Sequence, residues 1–333
     1  MQYIWYYLGL SFFIITVVNA LASKTPNNYF QQSQLSPPAT GNFSLPSSQQ
    51  PGPLIGFGQN IIDQNELQLG LNAGKFSAFG INTNAIAPYL LYGITNRFSI
   101  YFALPVDLNK KQKQEHSLGL DDAILQLEYA FYVNTTAVLL NQATIVGNIS
   151  IPSGSPTKKP ATGLGSPSFF LGTTLSRMYV DWFVFTAYGA TFTTAYKKLK
   201  AGNSFLYQGG IGRNILTIDS QCLFALLLEV DGQYTGKDHL GSSAVMPIDT
   251  ILKISYNISN FKANLKGTEQ FSPANKFNPN SGGNEVFVVP SLLFATRKFT
   301  AQLGVGFPIT QHLFGNQQHS DYLVALDLLF TLI

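Results

Sequence analysis

The chain has 333 residues, a formal net charge of +3 and a mean hydropathy of +0.11; 45% of its residues are hydrophobic, yet only 11% are charged. Average soluble proteins carry about a quarter charged residues, so a charge-coated globule is excluded, and the small net charge gives no basis for nucleic-acid binding. A spanning helix needs roughly 18 consecutive apolar residues, and no run after the N-terminal stretch supplies them. The polarity comes instead from Asn, Gln, Ser, Thr and Gly, which leaves a transmembrane β-barrel, with a soluble β-sandwich as its rival.

In chain order, residues 4–18 form an apolar stretch ending at Ala20-Leu21-Ala22, a small-x-small site that predicts a signal peptide over 1–22 and Ser23 as the mature N-terminus. The n-region departs from the usual pattern in lacking Lys and Arg. Residues 23–63 are rich in Gln, Ser, Pro and Asn and read as a flexible periplasmic segment. Within it Ile55, Phe57, Ile61 and Ile62 make the end more apolar. A spacer is the first reading of that end, and a plug seated in a barrel mouth is the second.

From residue 64 to 333 the sequence alternates between apolar and polar positions. Side chains of a strand repeat every two residues, and the pattern predicts twelve strands: 66–76, 85–94, 98–108, 120–132, 138–151, 167–177, 182–195, 204–213, 221–235, 284–295, 298–309 and 321–333. Phe224, Leu226, Leu228 and Val230, for example, oppose Glu229, Asp231 and Gln233. These strands exceed the globular norm of about 5–6 residues and match the ~9–11 needed to cross a bilayer at a tilt. Their second face carries Gly, Ser, Thr, Asn and Gln rather than charge. Connections alternate between short ones (95–97, 133–137, 178–181, 296–298) and longer ones (109–119, 152–166, 310–320), as in outer-membrane barrels with short periplasmic turns and long external loops.

The expected fold is therefore an all-β, transmembrane, antiparallel up-and-down barrel of twelve strands with a long external loop at 236–283. Alternation within that loop, at Leu252, Ile254, Tyr256 and Ile258 and then Phe261, Ala263 and Leu265, would raise the count to fourteen if it enters the wall. Tyr92, Phe98, Phe131, Tyr132, Trp182, Phe294, Phe299 and Phe330 cluster near the short-turn ends as an interfacial girdle. Pro88 and Pro290 lie deep in predicted strands and require a kink or bulge.

Several strings carry a family likeness: Leu91-Tyr92-Gly93-Ile94-Thr95, Gly119-Leu120-Asp121-Asp122, Asn278-Pro279-Asn280-Ser281-Gly282-Gly283-Asn284, Leu303-Gly304-Val305-Gly306-Phe307-Pro308 and Gln311-His312-Leu313-Phe314-Gly315. Together they resemble the outer-membrane family of meta-pathway phenol-degradation proteins over about residues 54–333. The resemblance implies a transporter-like barrel akin to fatty-acid and aromatic-hydrocarbon channels. The stretch around 245–276 is extra length relative to that family, and the chain ends in Ile333 where many such barrels end in an aromatic.

All four histidines, His116, His239, His312 and His319, fall in predicted external loops, and neither they nor Cys222 have metal-ligand spacing. His319-Ser320-Asp321 is the nearest approach to a catalytic cluster, but a triad is defined by geometry rather than adjacency. No enzyme, metal or cofactor is expected. The inward parity of Asp107, Asp122, Glu128, Glu229, Asp231 and Asp327 makes them candidates for a lumen constriction that would bias a wet pore towards cations. Arg97, Arg177, Arg213 and Arg297 sit near short turns, where they could pair only with carboxylates at the periplasmic end.

The functional expectation is a passive outer-membrane channel or transporter for small, hydrophobic or aromatic molecules in a Gram-negative bacterium. A surface-interaction barrel acting through its external loops is the alternative, and a rim-located hydrolase ranks below both. The expected partners are outer-membrane lipid and lipopolysaccharide, the barrel-assembly machinery and a small-molecule solute; substrate and oligomeric state stay open.

Overall fold

The computed structural model describes residues 39–332, except 59, 79–80, 198, 219–220, 241–250, 254–256 and 260–276. The predicted signal peptide, residues 23–38, and Ile254, Tyr256, Phe261, Ala263 and Leu265 of the extra hairpin lie outside the described residues. The strands are β1 Leu67–Ala78, β2 Ile81–Thr95, β3 Phe98–Ala103, β4 Val106–Gln112, β5 Glu115–Leu120, β6 Ala123–Thr135, β7 Leu139–Ile151, β8 Ser168–Tyr179 and β9 Trp182–Thr193. They continue as β10 Ala195–Tyr196, β11 Leu199–Lys200, β12 Ser204–Ile218, β13 Cys222–Thr235, β14 His239–Leu240, β15 Ile251–Lys253, β16 Asn257–Ser259, β17 Gly283–Thr296, β18 Phe299–Leu313 and β19 Ser320–Thr331.

β3 with β4, and β5 with β6, are each one wall ribbon with a break, so the barrel has twelve antiparallel ribbons. It closes where β1 pairs with β19, Leu71 facing Leu328. Neighbouring ribbons follow one another in sequence, the up-and-down order expected of short connections. β10, β11 and β14 form a small sheet of their own, and β15 pairs with β16 in a separate hairpin, so the described part of the 236–283 loop adds no ribbon to the wall. The predicted loop 109–119 is corrected: it is mostly the β4–β5 hairpin, turning at Lys113 with φ 53°. β2 begins at Ile81, earlier than the alternation shows, and its edge is satisfied by β4, Ile81 facing Gln112.

The burial pattern is inverted relative to a soluble protein. Leu69, Leu90, Leu127, Leu171, Leu228, Leu292 and Leu303 are exposed on the outer face, while Gln68, Ser99, Gln126, Glu128, Thr174 and Glu229 are buried inside. In a bilayer the exposed apolar face is solvated by lipid tails, and ring closure leaves the sheet without a free edge. An aromatic ladder runs across β13, β17, β18 and β19 at the short-turn end: Phe224–Phe294 at 4.8 Å, Phe294–Phe299 at 6.4 Å and Phe299–Phe330 at 4.8 Å between ring centroids.

Both deep prolines are absorbed by breaks in the ladder. Leu104 N–H bonds to the Pro88 carbonyl at 3.0 Å where the β3–β4 ribbon is interrupted. Beside Pro290, the β17–β18 pairing passes from Val288–Phe307 to Ser291–Gly304, leaving the proline without a ladder partner on that side. Each ring faces outward, so the missing donor costs least where the ladder is already open.

A charge on the lipid face measures the membrane assignment. Leu228→Arg should lower the stability of the lipid-embedded barrel by about 2–4 kcal/mol if this position lies near the midplane, read as a shifted denaturant midpoint in liposomes. An unchanged midpoint would show that this face meets water.

Candidate functional site

The chain before β1 folds into the barrel interior. It starts at the short-turn end, where Gly41 at φ 57° lies against Val180 and Asn42 N–H donates to the Val180 carbonyl at 2.6 Å. Two short 3-10 turns follow, Gly41–Phe43 and Ser47–Gln49. Pro51 and Pro53 then favour an extended course, and Gly58 at φ 79° supplies a backbone conformation that L side chains rarely adopt.

An irregular segment inside a barrel has no ladder, so its amides need side-chain partners. The inward face of the wall provides them. Leu54 and Ile55 donate their N–H groups to Glu229 Oε1 and Oε2 at 2.7 and 3.2 Å. Phe57 N–H reaches Gln208 Oε1 at 3.3 Å, and the Phe57 carbonyl accepts from Thr174 Oγ1 at 2.8 Å. Asn60 binds Glu128 twice, through its backbone N–H at 3.0 Å and its side-chain Nδ2 at 2.7 Å. Ile62 N–H donates to Ser99 Oγ at 3.2 Å, and Asn65 N–H returns the chain to the short-turn end on the Gly93 carbonyl at 2.8 Å.

The side chains of the segment complete apolar clusters with the wall. Leu54 and Ile55 pack with Phe76, Phe287 and Leu323; Phe57 packs with Val146, Phe170 and Leu206; Ile62 packs with Leu91, Tyr101 and Ile124. Phe57 stands edge-on to Phe170, centroids 4.7 Å apart. The facing pair Gly172 and Gly189 makes this possible, because a Cβ on either would collide with the Phe170 ring, and at Gly172 with Phe57 as well. Ile55, Phe57 and Ile62 are buried and Ile61 is half-buried, so the spacer expectation does not describe residues 54–62.

The six predicted carboxylates fall into four settings. Glu128 and Glu229 hold the lumen segment. Asp231, beside Glu229 and opposite Gln208 in the register, is buried. Asp327 accepts from the Tyr89 hydroxyl at 3.0 and 3.3 Å. Asp107 and Asp122 belong to the other end of the barrel. Asp107 pairs with Lys110 at 3.4 Å, and Lys110 also donates to the Ala161 carbonyl at 2.8 Å. Asp122 accepts from Gly154 N–H at 3.1 Å and Leu164 N–H at 2.9 Å. Asp122 directly, and Asp107 through Lys110, therefore hold the 152–167 connection at the end of the barrel opposite the short turns.

The wall carries two further inward carboxylates: Glu66, bonded by Gln68 Nε2 at 2.8 Å, and Glu285, bonded by Ser320 Oγ at 2.7 Å. Glu285 could have been flagged from its alternation with Val286 and Phe287. Arg177 and Arg213 share the outward parity of their strands, where Arg177 donates to Asn141 at 2.7 Å and Arg213 lies over Trp182 at 5.0 Å. Their partners here are a neighbouring amide and an aromatic ring rather than inward carboxylates.

His116, His239, His312 and His319 are exposed. The His319-Ser320-Asp321 string is pulled apart, since Ser320 Oγ faces Glu285 and Asp321 accepts from Ser77 Oγ at 2.7 Å. Between the lumen segment and strands β1, β2, β17, β18 and β19 lies a cavity of about 90 Å³, lined among others by Gln68, Asn72, Tyr89, Thr300, Gln302 and Asp327.

No family model matches the chain, and no curated protein matches its sequence. Among solved structures it is similar to the COG4313 outer membrane channel from Pseudomonas putida F1, with a TM-score of 0.57 and 12% identity over 85% of this chain and 99% of that one. The KdgM porin overlays with a TM-score of 0.38 and 11% identity over 78% and 97% of the two chains. The CymD monoaromatic hydrocarbon channel does so at 0.34 and 11% over 91% and 99%. Scores this low carry no argument, whereas the first likeness establishes fold. The protein is a closed, twelve-stranded antiparallel β-barrel of the outer-membrane type. The barrel implied by the phenol-degradation resemblance is present, and no matching family model accompanies it.

Outside the wall, Asp238 joins two external connections: it accepts from Gly202 N–H at 2.9 Å, and its own N–H bonds Ser281 Oγ at 3.0 Å. Burial pushes its carboxyl up to about 7, against the opposing hydrogen bonds from Gly202, Ser281 and Asn278. The folded state thus favours the neutral acid. Its contribution is complete below the free carboxyl's pKa of about 4 and is lost as pH rises to about 7. Thermal unfolding of the wild type should weaken across that window, and Asp238→Asn should flatten the profile; parallel profiles would refute this role.

Proposed function

We propose that this protein is an outer-membrane channel or transporter that passes small molecules passively and that residues 54–62 are its plug. The observation that carries the reading is the double grip of Glu229 on the Leu54 and Ile55 amides in the middle of the wall. A wall residue facing lipid or a packed core would have no use for an ionisable acceptor there; one facing a removable segment can exchange its amide partners for water. The export reading of residues 1–22, the Gram-negative outer membrane as destination, and contacts with lipid, lipopolysaccharide and assembly machinery belong to this proposal.

The resemblance to phenol-degradation proteins brings hydrophobic or aromatic solutes into range. The lumen adds its own preference. Glu128, Glu229, Asp231 and Asp327 face inward, while Arg177 and Arg213 face outward. Once the segment leaves, the same carboxylates would line the wet path and favour cations.

Planar-bilayer recording separates the possibilities. The full chain should show little steady conductance, and deletion of residues 39–63 should produce steady, cation-selective openings. Adding Glu229→Gln and Asp231→Asn to that deletion should reduce the cation preference. A deletion variant that stays silent, although heat-modifiable migration shows a folded barrel, would sink the channel reading.

A further inference from the structure

The cavity beside the lumen segment has an uneven complement of polar groups. The strand register places Asp327 in one cross-strand row between Asn72 of β1 and Gln302 of β18, so its immediate neighbours are neutral amides. Among the described residues that line the cavity there is no lysine or arginine. A carboxylate withdrawn from bulk water is costly unless it is paired or well hydrogen-bonded. The donor placed on Asp327 is a single phenol, Tyr89 OH, which spans both oxygens.

Three of the side-chain amides that line the cavity donate elsewhere. Gln68 Nε2 serves Glu66 and Thr331, Gln302 Nε2 serves the Gly52 carbonyl and Ser291 Oγ, and Asn60 Nδ2 serves Glu128. Asp327 thus keeps acceptor capacity for the donors of an occupant. An apolar part of the lining comes from Leu54, Ile61, Leu91, Leu293 and Leu329, beside the polar Ser47, Ser48, Gln50 and Asn60. The volume of about 90 Å³ exceeds the ~10–15 Å³ that a single water requires.

We infer that this cavity binds a short primary alkylammonium ion, with its three N–H donors on the Asp327 side and its aliphatic tail against the leucines. An ammonium supplies charge and three donors in one compact group, and the Tyr89 ring, 5.1 Å from that of Tyr101, adds an aromatic face beside it. The inference extends the channel reading by naming a solute class, yet binding is measurable whether or not the barrel conducts.

The test is saturation-transfer NMR on the full chain in deuterated detergent, with propylammonium as the probe and propanol and propionate as neutral and anionic counterparts. Propylammonium alone should receive saturation. Asp327→Asn should weaken its binding at least tenfold, Asp327→Glu should restore part of it, and Asp321→Asn, the same charge change at the outer rim, should leave it intact. Heat-modifiable migration verifies that each variant is folded. Equal transfer to propanol would mean an apolar or water-filled void, and undiminished transfer in Asp327→Asn would remove the carboxylate from the argument; either overturns the inference. If the 39–63 deletion conducts but no probe binds the full chain, the site fails and the channel stands. Binding to a barrel that never conducts gives the converse.

Discussion

An irregular chain can lie inside a β-barrel only if something other than a strand satisfies its backbone, and this requirement organises the molecule. Each amide from Leu54 to Asn65 that enters the lumen needs an acceptor, and the wall spends Glu229, Gln208, Glu128 and Ser99 on that task. The polar interior is thus matched to one segment at particular depths. Gly172 and Gly189 show the same matching sterically, because their missing side chains leave the space that Phe170 and Phe57 occupy.

The wall was legible in the sequence because its determinant is local. A period of two with an apolar outer face is imposed on every strand by lipid, and Leu228 beside Glu229 displays it without reference to any other residue. Ribbon number followed, as did the identity of Glu128, Glu229, Asp231 and Asp327 as inward groups. Partnership was not legible. Whether a carboxylate meets water, an amide or a lysine depends on a segment 68 residues away for Glu128 and 175 for Glu229. Composition misled for the same reason: a stretch rich in Gln, Ser and Pro reads as solvated, but in a polar lumen those residues are compatible with burial, as Gln49 on Thr331 shows.

Asp107 and Asp122 illustrate a second limit. Parity assigned them correctly to the inner side, but depth along the strand decided their role, and depth was hidden by the β3–β4 and β5–β6 breaks. Above those breaks the wall continues as a hairpin, and the 152–167 connection crosses the mouth on Lys110 and Asp122. Two segments are thus held by different means: the 152–167 connection by the Lys110 bond to the Ala161 carbonyl and by Asp122, which accepts from the Gly154 and Leu164 amides, and the lumen segment by carboxylates and aromatic packing.

That difference has energetic content. Charge-assisted hydrogen bonds contribute about 1.5–3 kcal/mol each, and water in an opened lumen would replace most of that. Burial of a side chain such as Phe57 or Leu54 contributes a similar ~1.5–3 kcal/mol, and water cannot replace it. The hydrogen bonds consequently fix where the lumen segment sits, while the apolar clusters would set the larger cost of removing it. A solute that only hydrogen-bonds to Glu229 would compete for position without offsetting the exposure of Phe57. One that carries both a cationic head and an apolar tail would address both terms, since the lumen sets inward carboxylates among leucines and aromatics.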